Sequence, residues 1–324
     1  MIQHVYRIVL FGWAMVSGIV PVSSAQEYPS KPIRLLVGFS PGGAADIIAR
    51  IVGQKMSANL GQQIVIDNRA GAGSVIASEI TAKSTPDGYT LLMISNSHAV
   101  NAGFHKTLPY DPVKDFAAIS LVASAPLVLV VTASLPVNSI GELIALARSR
   151  PGQLNFGSSG SGGSSHLAGE LLKKMAGIEL THVPYKGVAP ALTDVIAGQV
   201  QMIFSSAPAA LPQLKAGRIK AIAVTSAKRS AALPDVPTIA DSGVPGYDAT
   251  NWYGVLAPAA LSKPLVDRLN AEILKALRAA DVIDGITRQG ADPIGSTPGA
   301  FAAYLRSEIT KWIKIVRDAG LRSD

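Results

Sequence analysis

Residues Phe156–Leu172 read FGSSGSGGSSHLAGELL: the end of an apolar run, a stretch built of glycine and serine, and then the start of a helical pattern. LNF before the turn has strand character. In HLAGELLKKM after it, Leu167, Leu171 and Met175 recur at helical spacing and are expected to share one buried face. The same grammar returns four more times. IRLLVGF, SPGG and AADIIARIVGQKM form one such unit, with Ile47, Ile48, Ile51 and Val52 at helical spacing; QIVIDN, RAGAGS and VIASEITAK form another. YTLLMIS passes through NS into HAVNA, and QMIFSS leads through APAALPQLKAG to a further strand, IKAIAVTS. Strands alternating with helices in this way predict an α/β fold with mixed, mostly parallel sheets flanked by helices.

The chain has 324 residues. Its first 25 carry a basic Arg7, an apolar run from Ile8 to Val20, and small residues at Ser23 and Ala25, the pattern of a secretory signal cleaved after Ala25. That run is too short for a membrane anchor, which needs ~20 apolar residues. The later apolar stretch from Leu121 to Val131 is broken by Ser124 and Pro126. The remaining chain is therefore expected to be soluble and periplasmic, and it is long enough for two lobes with separate cores.

Proline-rich interruptions near Ser124–Leu127 and Pro245–Trp252 place the crossings between lobes. The expected division is residues 1–25 as signal, 26–126 as the first part of lobe 1, 127–249 as lobe 2, and 250–324 returning to lobe 1. The returning tail holds two amphipathic helices, with Leu269, Ile273 and Leu277 on one and Phe301, Leu305, Ile309 and Ile313 on the other. Tyr304 and Trp312 are expected in packing roles.

There is no cysteine, which excludes disulfides, thiolate metal sites and cysteine nucleophiles. The net charge of +7 comes from scattered basic residues, a poor footprint for nucleic acid. Beyond the signal the histidines are His98, His105, His166 and His182. With no HExxH and no carboxylate cluster beside them, neither a metal nor a cofactor is expected.

The glycine and serine loop itself fits three chemistries unequally. A nucleophile elbow needs glycine two residues before and two after its serine. Ser159 has Gly157 before it but Ser161 after it, and Ser164 has Gly162 before it but His166 after it. A secreted serine hydrolase using Ser159 or Ser164 is thus the alternative rather than the leading reading. A P-loop frame runs from Gly157 to Ser164, but Gly163 stands where the lysine belongs. GAGSVI, from Gly71 to Ile76, lacks the third glycine of a dinucleotide fingerprint. What remains is a helix amino end rich in neutral donors, suited to an anion. SPGG offers a second one. Asp46, three residues beyond PGG, either stabilises its helix start or bonds across a cleft, the first being favoured; Trp252 and Tyr253 either line that cleft or pack near the hinge.

Several longer stretches carry a family resemblance: YPSKPIRLLVGFSPGGAADIIAR, VIDNRAGAGSVIASE, STPDGYTLL, the loop quoted first, HVPYKGVAPALTDVIAGQVQM and LPDVPTIADSGVPGYDATNWYGVLAP. Together they resemble the extracytoplasmic solute receptors of tripartite tricarboxylate transporters, the Bug family, over essentially the whole chain beyond the signal. The resemblance implies a two-lobed type II periplasmic-binding-protein fold and a receptor without catalytic activity. It further implies a small carboxylate held between hinged lobes, a membrane permease as partner, and a monomer. Carried over residue by residue, the ligand site comprises Phe39, Ser40, Pro41, Gly42 and Gly43 from one lobe, with Ser158, Ser159, Gly160, Gly163, Ser164 and His166 from the other. Asn68, Ser97 and His98 border the same cleft. Where many members read Phe-Asp after the strand, this chain has Phe204, Ser205 and Ser206, so Ser205 joins the site as a neutral residue. That favours a plain mono- or dicarboxylate, aromatic ones included, over an amino acid. Asp241 stands where glutamate is usual.

Overall fold

The computed structural model describes residues 28–39, 41–160, 163–185, 187–230, 233–318 and 320. The signal sequence and Ser40 lie outside them.

In chain order the elements are β1 (Ile33–Val37), α1 (Ala44–Leu60), β2 (Ile64–Asn68), α2 (Val75–Ala82), β3 (Thr90–Ser95), α3 (Ser97–Phe104) and β4 (Phe116–Ala125). Next come β5 (Leu127–Thr132), α4 (Ile140–Ser149), β6 (Asn155–Ser158), α5 (Ser164–Ala176), β7 (Thr181–Pro184), α6 (Val188–Ile196), β8 (Met202–Ser206), α7 (Ala207–Lys215) and β9 (Ile219–Val224). The chain closes with β10 (Asn251–Pro258), α8 (Lys263–Leu277), α9 (Ala280–Arg288), β11 (Asp292–Pro293) and α10 (Pro298–Asp318).

These strands form two sheets among the described residues, ordered β11-β4-β10-β3-β1-β2 and β7-β6-β8-β5-β9. The α/β reading holds. In the first sheet β1, β2, β3 and β4 run one way while β10 and β11 oppose them; in the second, only β5 is reversed. Two of the reversed strands, β5 and β10, adjoin the crossings. Pro126 alone separates β4 from β5, carrying the chain from one sheet to the other, and the segment between β9 and β10 brings it back.

β5, LVLVVT, is buried at every position, as a strand covered on both faces must be. Helices pack on each sheet through their apolar stripes, and α5 comes so close to β6 that a Cβ on Gly169 would stand 2.2 Å from the Phe156 ring. The expected stripes need two corrections. Met175 is 39% and Ile313 36% exposed, whereas Ile315 and Val316 are buried. Residues spaced by four drift round the helix because a turn takes 3.6, so each stripe leaves the core after two or three turns. Leu269, Ile273, Leu277, Phe301 and Trp312 are buried as expected, and Tyr304 packs against the core.

Candidate functional site

The carboxyl ends of β1, β3 and β6 deliver the chain into α1, α3 and α5, and the amino ends of those three helices meet at one cleft between the sheets. Its volume is about 260 Å³. Gly43–Ala45 and Phe39 bound it on one side, Ser95–Ser97 and Val100 on a second, and Ser159, Gly163, Ser164 and Leu167 on the third. Asn251 and Tyr253, alternate residues of β10, complete the wall. None of these side chains is charged.

Two of the helix starts are near copies. Gly43 precedes α1 with φ −76° and ψ 163°, and Gly163 precedes α5 with φ −75° and ψ 164°. Neither these glycines nor Asn96 before α3 supplies a side-chain cap. The first-turn amides of an α-helix have no acceptor within the helix, so α1 and α5 leave donors for a ligand, while at α3 the Ser97 amide already meets Ser95 Oγ at 3.4 Å. Each helix also presents roughly half a positive charge at its amino end.

Although the loops match in backbone, their supports differ. In the first, Asp46 is only 2% exposed and accepts from the Gly42 amide at 2.9 Å, from Asn68 Nδ2 at 2.9 Å and from Arg50 Nε at 3.0 Å. Asn68 also donates to the Phe39 carbonyl at 3.0 Å, so one carboxylate and one amide hold both ends of the loop. Burial pushes the Asp46 carboxyl up, but the bonds from Arg50, Gly42 and Asn68 outweigh it and hold the group below its ordinary range. Asp46 thus serves its own helix start and loop, the role the sequence favours. Gly42 turns the loop at φ +84°, a conformation open to glycine at little cost.

The second loop rests on fully buried Ser158, whose Oγ lies 2.6 Å from His182 Nε2 and accepts from the Gly160 amide at 3.1 Å. The His182 ring stacks on His166 at 3.8 Å. Burial, reinforced by the fields of His182 and Lys173, pushes His166 down to about 4. Burial likewise lowers His182. Both rings are neutral at neutral pH.

Of the residues expected in the site, Phe39, Gly43, Ser97, Ser159, Gly163 and Ser164 line the cleft. Pro41 and Gly42 are exposed on the outer turn, while Asn68, Ser158, Gly160 and His166 sit behind the loops as supports. Two placements are corrections. His98 is wholly buried in the lobe core, its Nε2 3.0 Å from the Pro112 carbonyl and its ring stacked on Tyr110 at 5.7 Å. One residue along α3 is a rotation of about 100°, so when Ser97 faces the cleft His98 faces inward. Ser205 is also fully buried and donates to the Ser206 carbonyl.

Ser95, Asn96, Val100, Leu167, Asn251 and Tyr253 join the cleft without having been expected there as a set. The YTLLMIS–NS–HAVNA junction carries the signal for the first three. Strand alternation separates Trp252 from Tyr253: Trp252 enters the core, where its Nε1 donates to Glu308 Oε2 at 2.9 Å, and Tyr253 lines the cleft. Burial pushes the Tyr253 hydroxyl up to about 12. Asn251 Nδ2 donates to that hydroxyl at 3.0 Å. Among the described residues no histidine bonds to Ser159 or Ser164, the serines of the hydrolase alternative.

Residues 48–321 match the family described as the tripartite tricarboxylate transporter family receptor. Protein BugT of Bordetella pertussis (strain Tohama I) is 37% identical over 94% of this chain and 94% of its own length. Among solved structures, Rpa4515 of R. palustris with adipate is 40% identical, covers 91% of this chain and 99% of its own, and superposes with a TM-score of 0.77. MatC (Rpa3494) from Rhodopseudomonas palustris with bound malate is 31% identical, with 89% and 100% covered and a TM-score of 0.73.

Proposed function

The chain belongs to the tripartite tricarboxylate transporter receptor family, whose members are periplasmic, non-enzymatic solute receptors, and from that premise we propose that it captures a small carboxylate in the cleft described above and presents it to the membrane permease of such a transporter. The serine hydrolase alternative falls with the family assignment. The observation that carries the ligand class is the convergence of three helix amino ends on a cleft in which none of the described lining side chains is charged. Uncapped amides aligned with helix dipoles favour an anion. A cationic ligand would meet no countercharge among the described lining residues.

In this reading Gly43–Ala45 and Gly163–Ser164 grip the carboxylate from opposite lobes. Ser97 and Ser159 add hydroxyls, and Phe39 closes one side. Residues 26–126 with 250–324 form one lobe and 127–249 the other, the two closing about the crossings beside Pro126 and before β10. Residues 1–25 direct export and are removed, and the receptor works as a periplasmic monomer. Adipate bound to Rpa4515 and malate bound to MatC support the carboxylate class.

The test is thermal unfolding of the purified mature chain against a panel of carboxylates, sugars and amines. A ligand at 100 times its dissociation constant adds ~2.7 kcal/mol of stability. Shifts with sugars or cationic amines and none with any carboxylate would overturn the proposal.

A further inference from the structure

Across Phe39 and Val100 the cleft adjoins a second compartment of about 390 Å³, which shares Phe39, Ser97, Val100 and Gly163 with the first. Its character is different. The walls it adds include Ala72, Gly73 and Phe104. The Nδ2 of Asn101 donates to the Gly73 carbonyl at 2.8 Å. The one titratable side chain among its described lining residues, His105, meets Phe104 edge-on at 5.5 Å. The amino end of α1 thus belongs to the first compartment alone, those of α3 and α5 border both, and Phe39, Ala72, Val100 and Phe104 give the second its apolar walls.

Resting on the carboxylate-receptor reading, we propose that the ligand is a carboxylate carrying an apolar body of the size of a phenyl ring or a hexyl chain, with that body seated between Phe39 and Phe104. A compact hydroxylated acid fills only the polar end. It leaves the apolar walls wet, and any hydroxyl reaching past Val100 loses its water partners with little to replace them. An apolar cavity of only about 150 Å³ already takes up benzene, so the second compartment has room for a ring. Burying a methylene is worth ~0.8 kcal/mol, about fourfold in affinity. Affinity should therefore climb with the apolar length of the ligand until the compartment is full.

Calorimetric titration of the unaltered mature chain with acetate, butanoate, hexanoate, phenylacetate and malate tests this. The expected result is a dissociation constant falling about fourfold per methylene from butanoate to hexanoate, with phenylacetate tight and malate weak. Phe104→Ser should weaken hexanoate and phenylacetate about tenfold and leave acetate unchanged. Equal affinity along the series, or malate binding more tightly than hexanoate and phenylacetate, overturns the inference while leaving the receptor reading intact. No binding by any carboxylate overturns both. The series on the unaltered chain decides the matter even where Phe104→Ser fails to fold.

Discussion

The two glycine loops have nearly superimposable helix starts, yet one is held by ionic bonds and the other by neutral ones. Asp46, Arg50 and Asn68 brace the turn before α1, whereas Ser158, His182 and His166 brace the turn before α5. A backbone conformation that presents amides does not dictate what stands behind it. What matters is that each orphaned polar group behind the loop finds a partner, since leaving one buried and unpaired costs ~1–3 kcal/mol. The difference should show in how each loop fails.

Acid should separate them most. His98 and His166 are held near 4 and His182 below its ordinary value, so between that range and 6.5 the unfolded chain binds more protons than the native one. Stability is then full above pH 6.5 and falls as pH drops towards 4. The total loss is a few kcal/mol, because each pH unit separating a native from an unfolded pKa is worth ~1.4 kcal/mol. The depressed carboxyl of Asp46 works on a lower window. Its contribution is present above the ordinary carboxylate value and is lost only as pH falls further. Thermal unfolding from pH 8 to 3 should show the histidine-linked loss first, and His166→Phe should reduce it while His98 and His182 carry the remainder; a midpoint that holds steady from pH 6.5 to 4 would erase the contrast.

Removing an anchor comes next. Asp46→Ala removes the acceptor shared by the Gly42 amide, Asn68 Nδ2 and Arg50, and should cost ~2–3 kcal/mol in denaturant unfolding. Ligand affinity should fall about tenfold, or ~1.4 kcal/mol. On the other side Ser158→Ala leaves the Gly160 amide and His182 Nε2 without their shared partner, a loss of ~1–2 kcal/mol. If the two substitutions prove equal, the ionic and neutral supports are equivalent after all. The smallest change is Arg50→Met. Its side chain is 52% exposed, so the ion pair is largely screened and should be worth ~0.5–1 kcal/mol, diminishing with added salt.

Much of the architecture was legible because strand and helix periods are local. IRLLVGF–SPGG–AADIIAR and LNF–GSSGSGGSS–HLAGELL announce strand, turn and helix without any distant partner, and Gly43 and Gly163 fall at the helix starts. His98 shows where that reading stops. Its place after a strand end is right, but one step along α3 turns it from the cleft into the core. Asn251 and Tyr253 show the complementary failure: they lie far along the chain from every glycine loop, and nothing local to NWYGVLAP says that β10 will pair between β3 and β4.

By itself, then, the sequence determined the alternating elements, the two uncapped glycine turns and the neutral chemistry at their helix starts, because each depends on residues a few positions apart. Only the tertiary structure decided that a third helix amino end joins them, that Asp46 and Ser158 stand behind the loops, and that a largely apolar compartment adjoins the cleft at Phe39. Those features depend on which strands lie side by side, and strand order is set by the burial of whole faces across the chain rather than by any short stretch of it.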